Sequence, residues 1–130
     1  MSILVTGATG YVGRHVASKL AARGETVDGL IRSPERTAAP PPGVTPVVGD
    51  LADVEATAAL ASGYDAVLHT GFAAHGRDWA AAVEVEHGFL AALLARMAGT
   101  GRTLIASNGT LFLGDLWNVY ASRVLSSSPF

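Results

Sequence analysis

The chain has 130 residues, 49% hydrophobic and 15% charged, which suits one folded domain with its own core and argues against disorder. A formal net charge of −2 leaves out the basic field that nucleic-acid binding requires. The absence of cysteine excludes disulfides, zinc–thiolate sites and thiol catalysis. The four histidines (His15, His69, His75 and His87) show no metal-ligand spacing. No apolar run approaches the roughly 20 residues of a membrane span, and no basic stretch precedes an apolar one at the N-terminus. The expectation is a cytoplasmic protein with neither a membrane nor a nucleic-acid partner.

Ser2–Thr6 is a β-branched, apolar run that reads as a buried strand. A helix follows, with Val12, Val16 and Leu20 four apart and Gly24 just past its end. Thr26–Ile31 reads as the second strand. Three consecutive prolines, Pro40 to Pro42, place a loop over Ala38–Gly43. Val44–Val48 is the third strand and ends at Gly49-Asp50. Asp53 is the expected N-cap of a short helix running to about Ala61. Tyr64–His69 is the fourth strand. Roughly Asp78–Ala98 is a long helix, with Leu90, Leu93, Leu94 and Met97 as its core face. Arg102–Ser107 is the fifth strand. Alternating strands and helices predict an α/β fold, a Rossmann-type doubly wound parallel sheet of order 3-2-1-4-5. Leu116–Phe130 breaks the pattern, so the domain is expected to end near residue 115 and residues 116–130 to form an irregular tail.

Thr6–Gly13 reads T-G-A-T-G-Y-V-G, directly after a strand and directly before a helix. Each glycine has a physical task. Gly7 permits a sharp turn off the strand, Gly10 leaves room for a pyrophosphate to approach the backbone, and Gly13 permits close helix–sheet packing. The free N–H groups at the helix start, those of Tyr11, Val12 and Gly13, would hold phosphate together with the helix dipole. Thr9 can add its hydroxyl. The pattern therefore points to a dinucleotide cofactor.

The G-x-x-G-x-x-G spacing, followed by Arg14-His15-Val16, resembles the extended short-chain dehydrogenase/reductase superfamily of NAD(P)-dependent epimerases and dehydratases. Three later segments resemble it in order. Gly49-Asp50-Leu51 matches the segment after the third strand, and the resemblance implies that Asp50, with Leu51, meets the adenine. Ala66-Val67-Leu68-His69 matches the fourth-strand motif, which implies that His69, Thr70, Gly71 and Phe72 run beside the cofactor. Leu104–Gly114 matches the fifth strand and the serine-rich loop after it. The resemblance covers about residues 2–115 and implies an NAD(P)-binding domain of an epimerase/dehydratase-like oxidoreductase. A non-catalytic binding module is the alternative.

The residue closing the second strand reads the adenosine ribose: an acid there suits NAD, an arginine the 2′-phosphate of NADP. Arg32 lies nineteen residues beyond Gly13. Arg32, Ser33 and Arg36 can form a phosphate pocket, so NADP is expected, with NAD as the alternative. Asp28, the acid of this strand, falls four residues too early. The family's reductase chemistry uses Tyr-x-x-x-Lys, which is absent. Lys19 is the sole lysine, and Tyr120 has Arg123 and Val124 after it. Gly109 occupies the usual serine position. No catalytic residue is therefore assigned. The family's sixth and seventh strands and its substrate-binding region would fall beyond Phe130, so the chain is read as truncated before them. That leaves the fifth strand as an exposed sheet edge able to pair two copies. His69 is read as a hydrogen-bonded histidine near the core, and Glu84 and Glu86 as a solvated helix face.

Overall fold

Strands and helices alternate along the chain in the computed structural model, which describes residues 1–35, 38–73 and 78–107. The order is β1 (Ser2–Thr6), α1 (Tyr11–Ala22), β2 (Thr26–Ile31), β3 (Val44–Val48), α2 (Val54–Ala61), β4 (Ala66–His69), α3 (Trp79–Met97) and β5 (Thr103–Ala106). The five strands form one sheet, β3-β2-β1-β4-β5, with every pairing parallel. This is the predicted order. The predicted domain end near 115 and the tail 116–130 lie outside the described residues.

β1 sits at the centre because it is apolar on both faces. Leu4 joins Leu30 and Val67 in a core closed by Ala58 and Ala61 of α2 and by Phe89, Leu93 and Met97 of α3. Ile3 and Val5 point to the opposite face and join Val27, Val44 and Ala17 of α1. Helices thus cover both faces, as a buried parallel sheet requires. The chain leaves β1 toward β2 and later returns to β4 on β1's other side. The connections that follow β1 and β4 therefore run to helices on opposite faces of the sheet, and a crevice opens at the C-terminal ends of these strands.

Three local expectations are corrected. On α1 the buried residues are Gly13 and Ala17, while Val12 is 54% exposed. The first turns of the helix lie so close to the sheet that Gly13 and Ala17 face it, and Leu20 packs on the core farther along. On α3, Leu93 and Met97 are buried and Leu90 packs on the core, but Leu94 is 55% exposed, because the buried face is centred on Ala82, Phe89, Leu93 and Met97 and Leu94 lies roughly 100° round the helix from that centre. The fourth and fifth strands are shorter than predicted. Tyr64 and Asp65 precede β4 and use their side chains elsewhere: the Tyr64 hydroxyl donates to Asp28 Oδ2 at 2.7 Å, and Asp65 Oδ2 accepts from the Ser2 N–H at 2.7 Å.

Candidate functional site

The first turn after β1 is built around Gly7, whose φ of +68° lies in the left-handed region that favours glycine. The reason for glycine there is also spatial. A Cβ on Gly7 would lie 2.7 Å from Gly71 Cα, so the loop after β4 forms the floor of the turn. Gly13 is equally crowded: a Cβ there would overlap the Gly7 carbonyl oxygen and lie 2.5 Å from Thr70 Oγ1. Gly10 is different. Its Cβ would meet only Gly7 O, at 3.2 Å, and Gly10 is the N-cap of α1 with no side-chain cap. The N–H groups of the first helical turn, beginning at Tyr11 and Val12, are left to whatever approaches, and they carry the positive end of the helix dipole.

A cleft of about 400 Å³ opens at this turn. Gly7, Thr9 and Gly10 line its middle. One end is lined by Leu30, Ile31, Arg32 and Ala38, with Gly49, Asp50 and Leu51 beside them; Thr70, Gly71, Phe72 and Ala73 line the other. Ala38, Gly49 and Ala73 were missed by sequence reading, because small residues contribute here only by leaving space. Tyr11, Val12 and Gly13 are not among the residues lining this cleft. Tyr11 is 97% exposed and lines a shallower depression beside Arg14 and His15.

The polar groups near the cleft have identifiable partners. Asp50 Oδ1 accepts from the Ala52 N–H at 2.9 Å, so one carboxylate oxygen caps its own turn while the residue still lines the cleft. Asp53 is the N-cap of α2, as expected, but its side chain makes no capping bond. The Ser33 hydroxyl donates to Glu35 Oε2 at 2.7 Å, and that bond holds the Glu35 carboxyl below its ordinary value. Ser33 therefore faces an acid, and it is not among the residues lining the cleft. Arg36 lies outside the described residues, as do His75, Gly109 and Tyr120. Asp28 is engaged by Tyr64; burial, then the Asp28 bond and charge, push the Tyr64 phenol up.

His69 is fully buried, and its ring does not reach the cleft. Its Nδ1 lies 2.7 Å from Thr6 Oγ1 and its Nε2 lies 2.9 Å from Glu86 Oε1. This confirms a hydrogen-bonded core histidine and corrects the solvated reading of Glu86, whose side chain is 19% exposed. Glu84 is exposed as expected, and so is its neighbour His87 on the same helix. Strand-to-helix distance is not encoded in the local spacing, so nothing in the sequence placed Glu86 opposite His69. Among the described residues, no group of three or more metal-ligating side chains exists, and no helix is long and apolar enough to cross a membrane.

Residues 7–119 match the NAD(P)H-binding family. An uncharacterized protein of Saccharomyces cerevisiae is 33% identical over 116 residues, which cover 87% of this chain and 39% of that protein. The chain therefore spans well under half the length of that relative. A short-chain dehydrogenase/reductase superfamily protein from Agrobacterium tumefaciens, solved with bound NAD, is 30% identical with a TM-score of 0.64; the match covers 85% of this chain and 33% of that one. A UDP-glucose 4-epimerase from Thermotoga maritima shares the fold at 23% identity and a TM-score of 0.66, over 83% of this chain and 38% of that one.

Proposed function

The chain belongs to the NAD(P)H-binding family, and from that premise we propose that its dinucleotide is NADP, bound across the cleft with the pyrophosphate on the Gly7–Gly13 turn. In this reading the N–H groups at the start of α1 and the Thr9 hydroxyl hold the phosphates. Asp50 and Leu51 border the adenine, with the second Asp50 oxygen as the acceptor. Thr70, Gly71 and Phe72 border the nicotinamide end, and His69 contributes through its backbone only.

One observation carries the choice of NADP. Among the described residues, Arg32 is the only cation lining the cleft, and it stands directly after β2, where the 2′ substituent is read. Asp28, the acid of β2, is turned to Tyr64 and does not serve the ribose. The Glu35 carboxylate opposes a phosphate but does not line the cleft. A guanidinium–phosphate pair is worth roughly ten- to a hundredfold in affinity over a hydroxyl contact. Fluorescence titration with NADPH and NADH should therefore show that preference, and Arg32→Asp should reverse it. Tighter binding of NADH by the unmodified chain would overturn the NADP reading.

The parent activity we propose is that of an epimerase/dehydratase-like oxidoreductase, of which this chain is the cofactor-binding part. A second reading, a dinucleotide-binding module without catalysis, is favoured by the side chains in place. Lys19 is exposed in the last turn of α1, Tyr64 is held by Asp28, and Tyr11 faces outward. None of them lines the cleft. An absorbance assay of NADPH oxidation with carbonyl substrates should show no turnover by the 130-residue chain; turnover would overturn the second reading.

A further inference from the structure

Directly beneath the cleft runs a line of polar side chains that the cofactor reading leaves unused. Thr6 and His69 end the two central strands and lie opposite one another in the β1–β4 register; both are 0% exposed. Glu86 and Phe89, three apart on one face of α3, enclose the imidazole. Glu86 Oε1 is 2.9 Å from Nε2, and the Phe89 ring centroid is 5.0 Å from that of His69. On the other side, Thr6 Oγ1 is 2.7 Å from Nδ1 and accepts the Gly71 N–H at 3.1 Å. Gly71 packs against Gly7 and lines the cleft.

A hydroxyl has one proton, and this fixes the direction of the bonds. The Glu86 carboxylate accepts, so Nε2 carries the proton. With the imidazole neutral, Nδ1 is then an acceptor, and the Thr6 hydroxyl donates to it. That leaves the Thr6 lone pairs for the Gly71 N–H. The opposite tautomer would set two acceptors, Nε2 and the carboxylate, against each other in a water-excluded interior, where an unmet acceptor is costly. Among the described residues Glu86 Oε2 has no partner, so the bond to His69 is the one that orients this carboxylate.

We infer that Glu86, His69 and Thr6 form a positioning relay for the cofactor turn. Glu86 sets the His69 tautomer, His69 orients the Thr6 hydroxyl, and Thr6 holds Gly71 against Gly7. None of the three side chains touches the dinucleotide. The inference concerns the site proposed above, but its first readout needs no cofactor.

Long-range ¹⁵N–¹H correlation spectra of the full chain should show His69 protonated at Nε2 and bare at Nδ1. Glu86→Leu should scramble that pattern and speed exchange of the Gly71 amide. It should also weaken NADP binding about tenfold. Glu86→Gln, whose carbonyl still accepts from Nε2–H, should restore all three. Thr6→Val should speed Gly71 exchange with the His69 protonation site unchanged, and Thr6→Ser should not. A proton on Nδ1 in the unmodified chain would overturn the relay, as would Gly71 exchange unaltered in both Glu86→Leu and Thr6→Val. If the unmodified chain bound no dinucleotide, the NADP reading would fail while the tautomer and exchange results still decided the relay.

Discussion

Gly10 and Gly13 belong to one turn, yet their surroundings give them opposite tolerances. Gly10 has a φ of −78°, which any residue can adopt, and its missing Cβ faces the open cleft apart from one contact at 3.2 Å. Gly13 is buried against the Gly7 carbonyl and Thr70. Gly10→Val should therefore fold normally and lose dinucleotide binding by at least about tenfold, because the side chain fills the phosphate's approach. Gly13→Val should lose stability, by about 1–3 kcal/mol or more, because the helix must move off the sheet. Thermal melts and calorimetric titrations of the two variants separate these effects. A Gly10→Val variant that binds as well as the unmodified chain would sink the assignment of the turn. The spacing of the three glycines was legible in the sequence, and so was the tight packing required at Gly13. The partners were not: Gly71, which floors the turn, comes from a segment sixty-four residues later.

At the level of elements, strand boundaries held for the first three strands. β1, β2 and β3 match their predicted ranges residue for residue. The boundaries failed at Tyr64 and Asp65, whose side chains leave the alternation to bond Asp28 and Ser2. On α1 the 3.6-residue pattern holds at Leu20, which packs on the core, and fails at Val12, whose place against the sheet is taken by Gly13 and Ala17. Helix α3 was placed within one residue at each end, and its central anchor is Phe89, fully buried against the sheet. Phe89→Ala should cost about 3–5 kcal/mol, read as a lowered denaturation midpoint; a loss well under 1 kcal/mol would contradict this packing. Asp65 ties the starts of β1 and β4 together. The backbone and side-chain bonds from Ser2 hold its carboxyl below the ordinary aspartate value of 3.8. A lowered folded-state value stabilises the fold above the unfolded value and is lost as pH falls through the folded one. Asp65→Asn should therefore be less stable than the parent at neutral pH, with the gap closing as pH falls below the ordinary aspartate range. A gap that persists there would refute the charge argument.

Across the whole molecule, the sheet's two edges are unlike. β3 carries Pro46 at its centre, which denies a further strand a hydrogen-bond donor. β5 has no proline, has β4 as its one strand partner among the described residues, and exposes Ile105 at 58%. We expect this edge to pair two copies of the chain. Sedimentation of the 130-residue chain should show concentration-dependent self-association that Ile105→Lys reduces; a monomer at all concentrations would contradict it. The parallel sheet followed from the alternation of strands and helices, and its order from the doubly wound fold they imply, whereas the long-range pairings of Asp28 with Tyr64 and of His69 with Glu86 did not, since only folding brings them together. The account rests on the crevice as a dinucleotide site, and isothermal titration of the unmodified chain with NADP and NAD tests this most directly. It predicts one-to-one binding of both, with NADP tighter by roughly ten- to a hundredfold; no heat of binding for either cofactor, from a chain shown to be folded, would contradict it.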